Sequence, residues 1–307
     1  MKRNLIIVLI IGILYSVFLL TFPNSGLYRV WEKDVIEHYS TTTSPDTRGY
    51  AYPPEKSSLR TIGYPTVLKL IMHFDNWILI LLAFNCLVSV WFFYVTWQLI
   101  GRRTWILFFM GVFALYIPEI LTDLLFATVF VTAIWQIKRL WLHFLLLGVA
   151  SLLNPALAWF WVIEPFVLYF NGYKDKIKIV CFSALIVFVV TSFNPLRNLI
   201  NTGQWTHSTV MMYNIDHYFT GILYFFKGFY HNALLPHSHY LVRQYSRFID
   251  VALIAVNVII WIRFLFHVSI NKINWGYVLI LIYILGPTLF AAAGPRKALP
   301  FNWILLM

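Results

Sequence analysis

Apolar runs of membrane-spanning length dominate the sequence and constrain what this chain can fold into. Hydrophobic residues make up 60% of the 307 residues and charged residues only 11%, against about 25% charged in soluble domains. A membrane-spanning helix needs roughly 20 apolar residues. The runs predict an all-α, polytopic bundle of about nine spans, forming a single module over residues 1–307. The predicted spans are 5–22, 77–100, 105–117, 120–137, 140–153, 156–170, 177–193, 249–266 and 275–293.

Short basic clusters occupy every second connection between these runs. The positive-inside rule assigns such loops to the cytoplasm, so we predict a cytoplasmic N-terminus and two long extracytoplasmic segments, 23–76 and 194–248. Within the first segment, residues 59–74 predict a juxtamembrane amphipathic helix with Lys69 and His73 on its polar side. The basic residues are Lys2 and Arg3; Arg102 and Arg103; Lys138 and Arg139; Lys174, Lys176 and Lys178; and Arg263 and Lys272.

Charge, cysteine content and the two chain ends narrow the function classes. The net charge of +11 lies in loops between apolar runs rather than on a soluble basic face, so we expect no nucleic-acid partner. The two cysteines, Cys86 and Cys181, are too few for a disulfide framework, and both lie inside apolar runs. The first apolar run lacks a small-residue cleavage site and is expected to remain as a span. The last run, 299–307, is too short to cross a bilayer.

The first extracytoplasmic segment carries residues suited to transfer chemistry. Asp46 is followed by Arg60 and then by Gly63, Tyr64 and Pro65. A carboxylate beside the membrane can accept the proton of an attacking hydroxyl, and arginine can hold a phosphate with a fork of donors. The alternative for an aspartate directly after a proline is a helix N-cap, and residue types alone leave both open.

Five short motifs follow one another along the chain. They are Asp-Thr-Arg-Gly-Tyr from residue 46 with Arg-Thr-Ile-Gly-Tyr-Pro from residue 60, Pro-Glu-Ile-Leu-Thr-Asp at 118–123, Leu-Leu-Asn-Pro at 152–155, Asn-Pro-Leu-Arg-Asn at 194–198, and Pro-Arg-Lys-Ala-Leu-Pro at 295–300. In this order they resemble the GT-C membrane glycosyltransferases, including bacterial relatives of protein O-mannosyltransferases and the lipid A aminoarabinose transferases. The chain departs from that pattern at Ile62, Asn154 and Lys297, where the family has Pro, Arg and Tyr.

The resemblance implies an inverting glycosyltransferase of the cell envelope that acts at the extracytoplasmic face of a bacterial inner membrane. It would move a sugar from a polyprenyl-phosphate donor, such as undecaprenyl phosphate, to a glycan, lipid or protein acceptor. Asp46 would be the catalytic base, and arginines would converge on the leaving phosphate. No cofactor is fixed by the resemblance, although some relatives use a divalent metal. The substrate-binding residues implied by the motifs are Arg60, Tyr64, Asp123, Arg197, Asn198 and Arg296.

Two other function classes remain open. A lipid-linked-glycan flippase or transporter would place paired charges at mid-membrane and often has repeated halves, whereas Glu164 is the one deep acid in the predicted spans. That residue needs a partner there, and we expect a structural one. A non-catalytic subunit on a degenerate GT-C bundle would explain the motif departures. His231, His237 and His239 have no carboxylate nearby in sequence to complete a metal site, so none is predicted.

Overall fold

The computed structural model describes residues 1–24, 63–109, 121–203, 205, 247–270, 272–290 and 302–307. These residues are helical and contain no strand, which confirms the all-α prediction for the part of the chain they cover. The helices are α1 (Lys2–Thr21), α2 (Gly63–Ile71), α3 (Trp77–Ile100), α4 (Thr104–Phe109), α5 (Leu121–Trp135), α6 (Leu140–Leu153), α7 (Phe160–Leu168), α8 (Ile177–Thr191), α9 (Phe193–Thr202), α10 (Arg247–Ser269), α11 (Trp275–Phe290) and α12 (Asn302–Leu305).

Two stretches are long and apolar enough to cross a membrane, namely α1 and the run Trp77–Leu107, whose first 24 residues form α3. A third candidate arises if α8 and α9, which meet at an angle of 43°, form one bent span. Helices α5 and α6 are apolar but shorter, and coincide with predicted runs. The described residues therefore give two to three candidate spans, and the larger bundle stays a prediction.

Two breaks come from identifiable residues. Gly101 has a φ of +59°, which glycine adopts at little cost, and the chain turns there. The Trp105 ring consequently packs on Phe93 with centroids 4.9 Å apart, so α4 folds back along α3. The run predicted at 156–170 becomes helical only at Phe160, because Asn154 is extended and a 3-10 turn occupies Pro155–Leu157.

Helices α5, α6, α7 and α8 form the centre of the bundle. A short turn connects α5 and α6, which pack against each other as an antiparallel hairpin. The His143 ring on α6 contacts the Ala133 carbonyl on α5. The Ser151 hydroxyl lies 3.5 Å from the Val190 carbonyl, so α6 and α8 end at the same level. The contact between Phe130 and Phe160, with ring centroids 5.6 Å apart, closes the buried core between α5 and α7.

The basic loops gather at one end of this bundle, which we call the basic end. The Tyr173 hydroxyl donates to the carbonyls of Ile137 and Lys138 at 3.2 Å, which joins two of these loops. The Tyr94 and Trp135 rings pack edge to face, so the last two turns of α3 lie beside the end of α5. The basic loops that were predicted to share one side thus lie together, and the membrane face that they occupy stays a prediction.

The last residues of the chain also lie at the basic end. Arg103 donates from Nη1 to the Leu306 carbonyl at 2.9 Å. The Trp303 ring is fully buried and packs on Tyr277 with centroids 5.6 Å apart. Residues 302–307, the described part of the last apolar run, therefore lie beside Arg103.

Candidate functional site

The start of α2 lies directly against the end of α6. A Cβ atom built on Gly63 would lie 2.6 Å from the Leu152 carbonyl oxygen and 3.1 Å from a methyl group of Leu153. Only glycine permits this approach, because any side chain would overlap backbone that cannot rotate away. Tyr64 follows and is fully buried. Two sequence motifs, Gly-Tyr-Pro and Leu-Leu-Asn-Pro, are therefore in contact.

The third motif reaches the same place through α9. Asn194 donates from Nδ2 to the Ser151 carbonyl at 2.8 Å, and its side chain is buried. That bond fixes the amide orientation, since only the nitrogen can donate to a carbonyl. The Asn194 Oδ1 atom has no hydrogen-bond partner within the described part of the chain. We call this region, formed by Gly63–Tyr64, Ser151–Asn154 and Asn194–Asn198, the motif end.

Asn154 has a structural role at the end of α6. Its Oδ1 accepts a hydrogen bond from the Ala156 backbone N–H at 2.9 Å and so caps the 3-10 turn that follows α6. This is an ordinary use of asparagine at a chain turn. Asn154 therefore caps this turn and brings no charge to the motif end.

Arg197 supplies a cation at the motif end. Its Nη1 lies 3.5 Å from Oδ1 of the buried Asn198, and its side chain is half-buried. No carboxylate among the described residues forms an ion pair with it. A guanidinium without an acidic partner and held beside buried amides is suited to an anionic ligand, for which it offers two parallel donors.

The other predicted site residues are only partly located. Residue 123 lies in the first turn of α5, and this turn is at the same end of the α5–α6 hairpin as Leu152. Asp46, Arg60 and Arg296 lie outside the described residues, as do His231, His237 and His239. The predicted convergence of Arg197 and Arg296 on one phosphate is therefore untested. Among the described residues, no group of three His, Cys, Asp or Glu side chains could hold a metal ion.

A second polar feature lies inside the bundle, away from the motif end. The His143 Nε2 and Glu164 Oε1 atoms are 2.8 Å apart, and both side chains are fully buried. The His143 Nδ1 atom lies 2.8 Å from the Ala133 carbonyl. The expectation that Glu164 has a partner is met, but the sequence did not identify His143 as that partner. The signal that could have indicated this pair is that each of two consecutive apolar runs contains one histidine or acidic residue, His143 or Glu164.

The motif end and the buried pair are separate. His143 and Leu152 are nine positions apart along α6, which corresponds to about 14 Å of helix. One region offers buried amides and a guanidinium, while the other offers two titratable groups. No known protein family, curated protein or solved structure matches this chain.

Proposed function

We propose that this chain is a membrane glycosyltransferase of the GT-C type, built on a bundle of about nine spans, that uses a polyprenyl-phosphate sugar donor at the extracytoplasmic face of a bacterial inner membrane. One observation carries the proposal. Three motifs separated by long apolar runs meet at one end of the bundle, where Gly63 contacts Leu152 and Asn194 bonds to Ser151. A packing role alone does not require these segments to carry a cation and a buried acceptor that lack partners among the residues that the structure describes.

The bilayer supplies the natural route for such a donor. Large apolar side chains stand exposed along α8, including Phe182, Leu185 and Val189. In water such a continuous face would favour aggregation, whereas acyl chains solvate it. A polyprenyl chain could remain in the lipid beside such a surface while its phosphate and sugar reach the motif end.

The proposed reaction assigns one role to each motif. The acceptor hydroxyl attacks the anomeric carbon, its proton passes to Asp46, and the bond from that carbon to the phosphate oxygen breaks. The electron pair leaves on the lipid phosphate, where Arg197, with Arg60 and Arg296, would balance the developing charge. The configuration inverts because attack and departure occur on opposite faces of the sugar. Tyr64, Asn198 and Asp123 would orient the donor or acceptor.

Binding of undecaprenyl phosphate to the purified protein in lipid nanodiscs, measured by native mass spectrometry, tests the site. Arg197→Ala should weaken binding about tenfold or more, as expected for the loss of a charge-assisted contact. Arg197→Lys should fall between, because lysine restores charge without the paired donors. The matched control is Arg102→Ala, since Arg102 is exposed at the basic end. Equal losses for Arg197→Ala and Arg102→Ala would refute a phosphate site at the motif end.

A transporter of lipid-linked glycans is the second candidate, and one observation favours it. Transporters carry paired titratable groups within the membrane, and His143 with Glu164 is such a pair. The two functions separate in one vesicle experiment with a fluorescent polyprenyl-phosphate sugar. A transferase releases the sugar from its lipid only when an acceptor is supplied, whereas a transporter moves the intact lipid between leaflets without an acceptor.

A further inference from the structure

The geometry of His143 limits how many protons the buried pair can hold. Nδ1 lies 2.8 Å from the Ala133 carbonyl, which can only accept, so Nδ1 carries a hydrogen. Nε2 lies 2.8 Å from Glu164 Oε1, and a hydrogen bond at that distance requires one proton between the two atoms. Apart from the Nδ1 hydrogen, the contact therefore contains one titratable proton, either on Nε2 or on Oε1. The pair is net neutral in both arrangements.

The second carboxyl oxygen of Glu164 decides between the two arrangements. Oε2 is buried, and no group of the described residues donates a hydrogen bond to it. In an ion pair this atom would share the negative charge of a carboxylate without a donor, which is the most costly way to bury it. With the proton on Oε1, Oε2 is the carbonyl oxygen of a neutral acid, and an unpaired carbonyl costs far less.

Within the described part of the chain, the surroundings of the pair do not offset a carboxylate charge. The described elements packed around the pair carry few titratable groups. They are residue 123 at the far end of α5, Lys138 and Arg139, both exposed, in the turn before α6, Lys178 and Cys181 on α8, Tyr169 and Tyr173 after α7, and Tyr277 and Tyr283 on α11. Lys178 and Cys181 are exposed on the outer face of α8. Tyr283 instead bonds to the Ala156 carbonyl and the Trp159 N–H, and Tyr173 bonds to the turn after α5.

We propose that His143 and Glu164 form a proton-binding site inside the helix bundle, with one proton on the Glu164 carboxyl and a neutral His143. The carboxyl donates to Nε2, and the imidazole donates from Nδ1 to Ala133. This chain of two hydrogen bonds links α7 to α6 and α6 to α5 without burying a net or a separated charge. The site is distinct from the motif end and does not depend on the glycosyltransferase proposal.

Infrared spectroscopy of the protein in lipid at pH 7 distinguishes the two arrangements. A protonated carboxyl gives a carbonyl stretch well separated from the carboxylate bands. The difference spectrum between wild type and Glu164→Gln should show the loss of an acid carbonyl band. Asp175→Asn is the matched control, because Asp175 is exposed in a basic loop, and its difference spectrum should show only a lost carboxylate. Loss of carboxylate bands alone in Glu164→Gln would overturn the proposal.

Nitrogen NMR of histidine-labelled protein gives a second readout that does not require a Glu164 variant. Comparison with His143→Gln assigns the signals of His143 among the nine histidines. A neutral ring protonated at Nδ1 gives one protonated and one unprotonated nitrogen signal. Two protonated signals at pH 7 would identify an imidazolium and refute the assigned proton position.

Discussion

Replacing Gly63 with alanine tests the packing that brings two motifs together. The new Cβ would lie 2.6 Å from the Leu152 carbonyl oxygen, whereas carbon contacts are comfortable from about 3.5 Å. The start of α2 would therefore have to retreat by about 1 Å from the end of α6. Overpacking of this kind costs about 1–3 kcal/mol, and better helix propensity returns at most about 1 kcal/mol. With the full propensity gain returned, we expect a net loss of up to about 2 kcal/mol.

The assay is thermal unfolding in detergent, with binding of undecaprenyl phosphate measured on the same preparations. Gly63→Ala should lower the unfolding temperature by a few degrees and should also weaken binding, since Tyr64 moves with the helix. Leu70→Ala is the control, because Leu70 belongs to α2 but is 65% exposed. If the two variants unfold at the same temperature, the contact with Leu152 does not hold α2 in place, and the motif end is not a built site.

Further perturbations test the buried pair, the topology and the chemistry. Glu164→Leu leaves the Nε2 atom of its buried partner unpaired and should lower the free energy of unfolding by about 1–3 kcal/mol, while Glu164→Gln still donates to that nitrogen and should cost under about 1 kcal/mol in the same melts. External thiol labelling should reach Ser44→Cys and miss Lys176→Cys, and the reverse pattern would invert the proposed orientation. Asp46→Asn should slow sugar transfer about 10²–10⁴-fold with donor binding intact. The control is Asp34→Asn, which removes another carboxylate of segment 23–76 and should transfer normally; two near-normal rates would favour the non-catalytic alternative.

The sequence predicted the positions of most described helices, because helix formation depends on residues that are close together in the chain. Apolar runs favour helices, and the basic cluster of Lys138 and Arg139 marked the turn between α5 and α6 correctly. The amphipathic segment at 59–74 contains α2, with Leu68 buried and Lys69 exposed as its pattern predicts. The late start of α7 was missed, because an apolar run does not reveal where backbone after Asn154 leaves the helical path.

To predict the contacts between helices, one would need the register of each helix against its neighbours, which the sequence alone does not give. His143 looked like an isolated polar residue until α6 and α7 were placed side by side. The need for glycine at Gly63 likewise depends on where the Leu152 carbonyl lies. For the motif end, the sequence supplied the order of the motifs and the structure supplied the contacts of two of them with the end of α6.

The kinds of polar group at the two ends of the bundle differ in a way that bears on function. At the basic end, charged side chains such as Lys138 and Arg102 are exposed, as anchoring requires. At the motif end, amides are buried instead, although burial of an amide is costly unless its atoms are bonded. Asn154 meets that cost by capping a turn, but the Asn194 Oδ1 atom has no donor among the described residues. Under the proposed function, a sugar hydroxyl would donate to Asn194, while Arg197 would hold the phosphate.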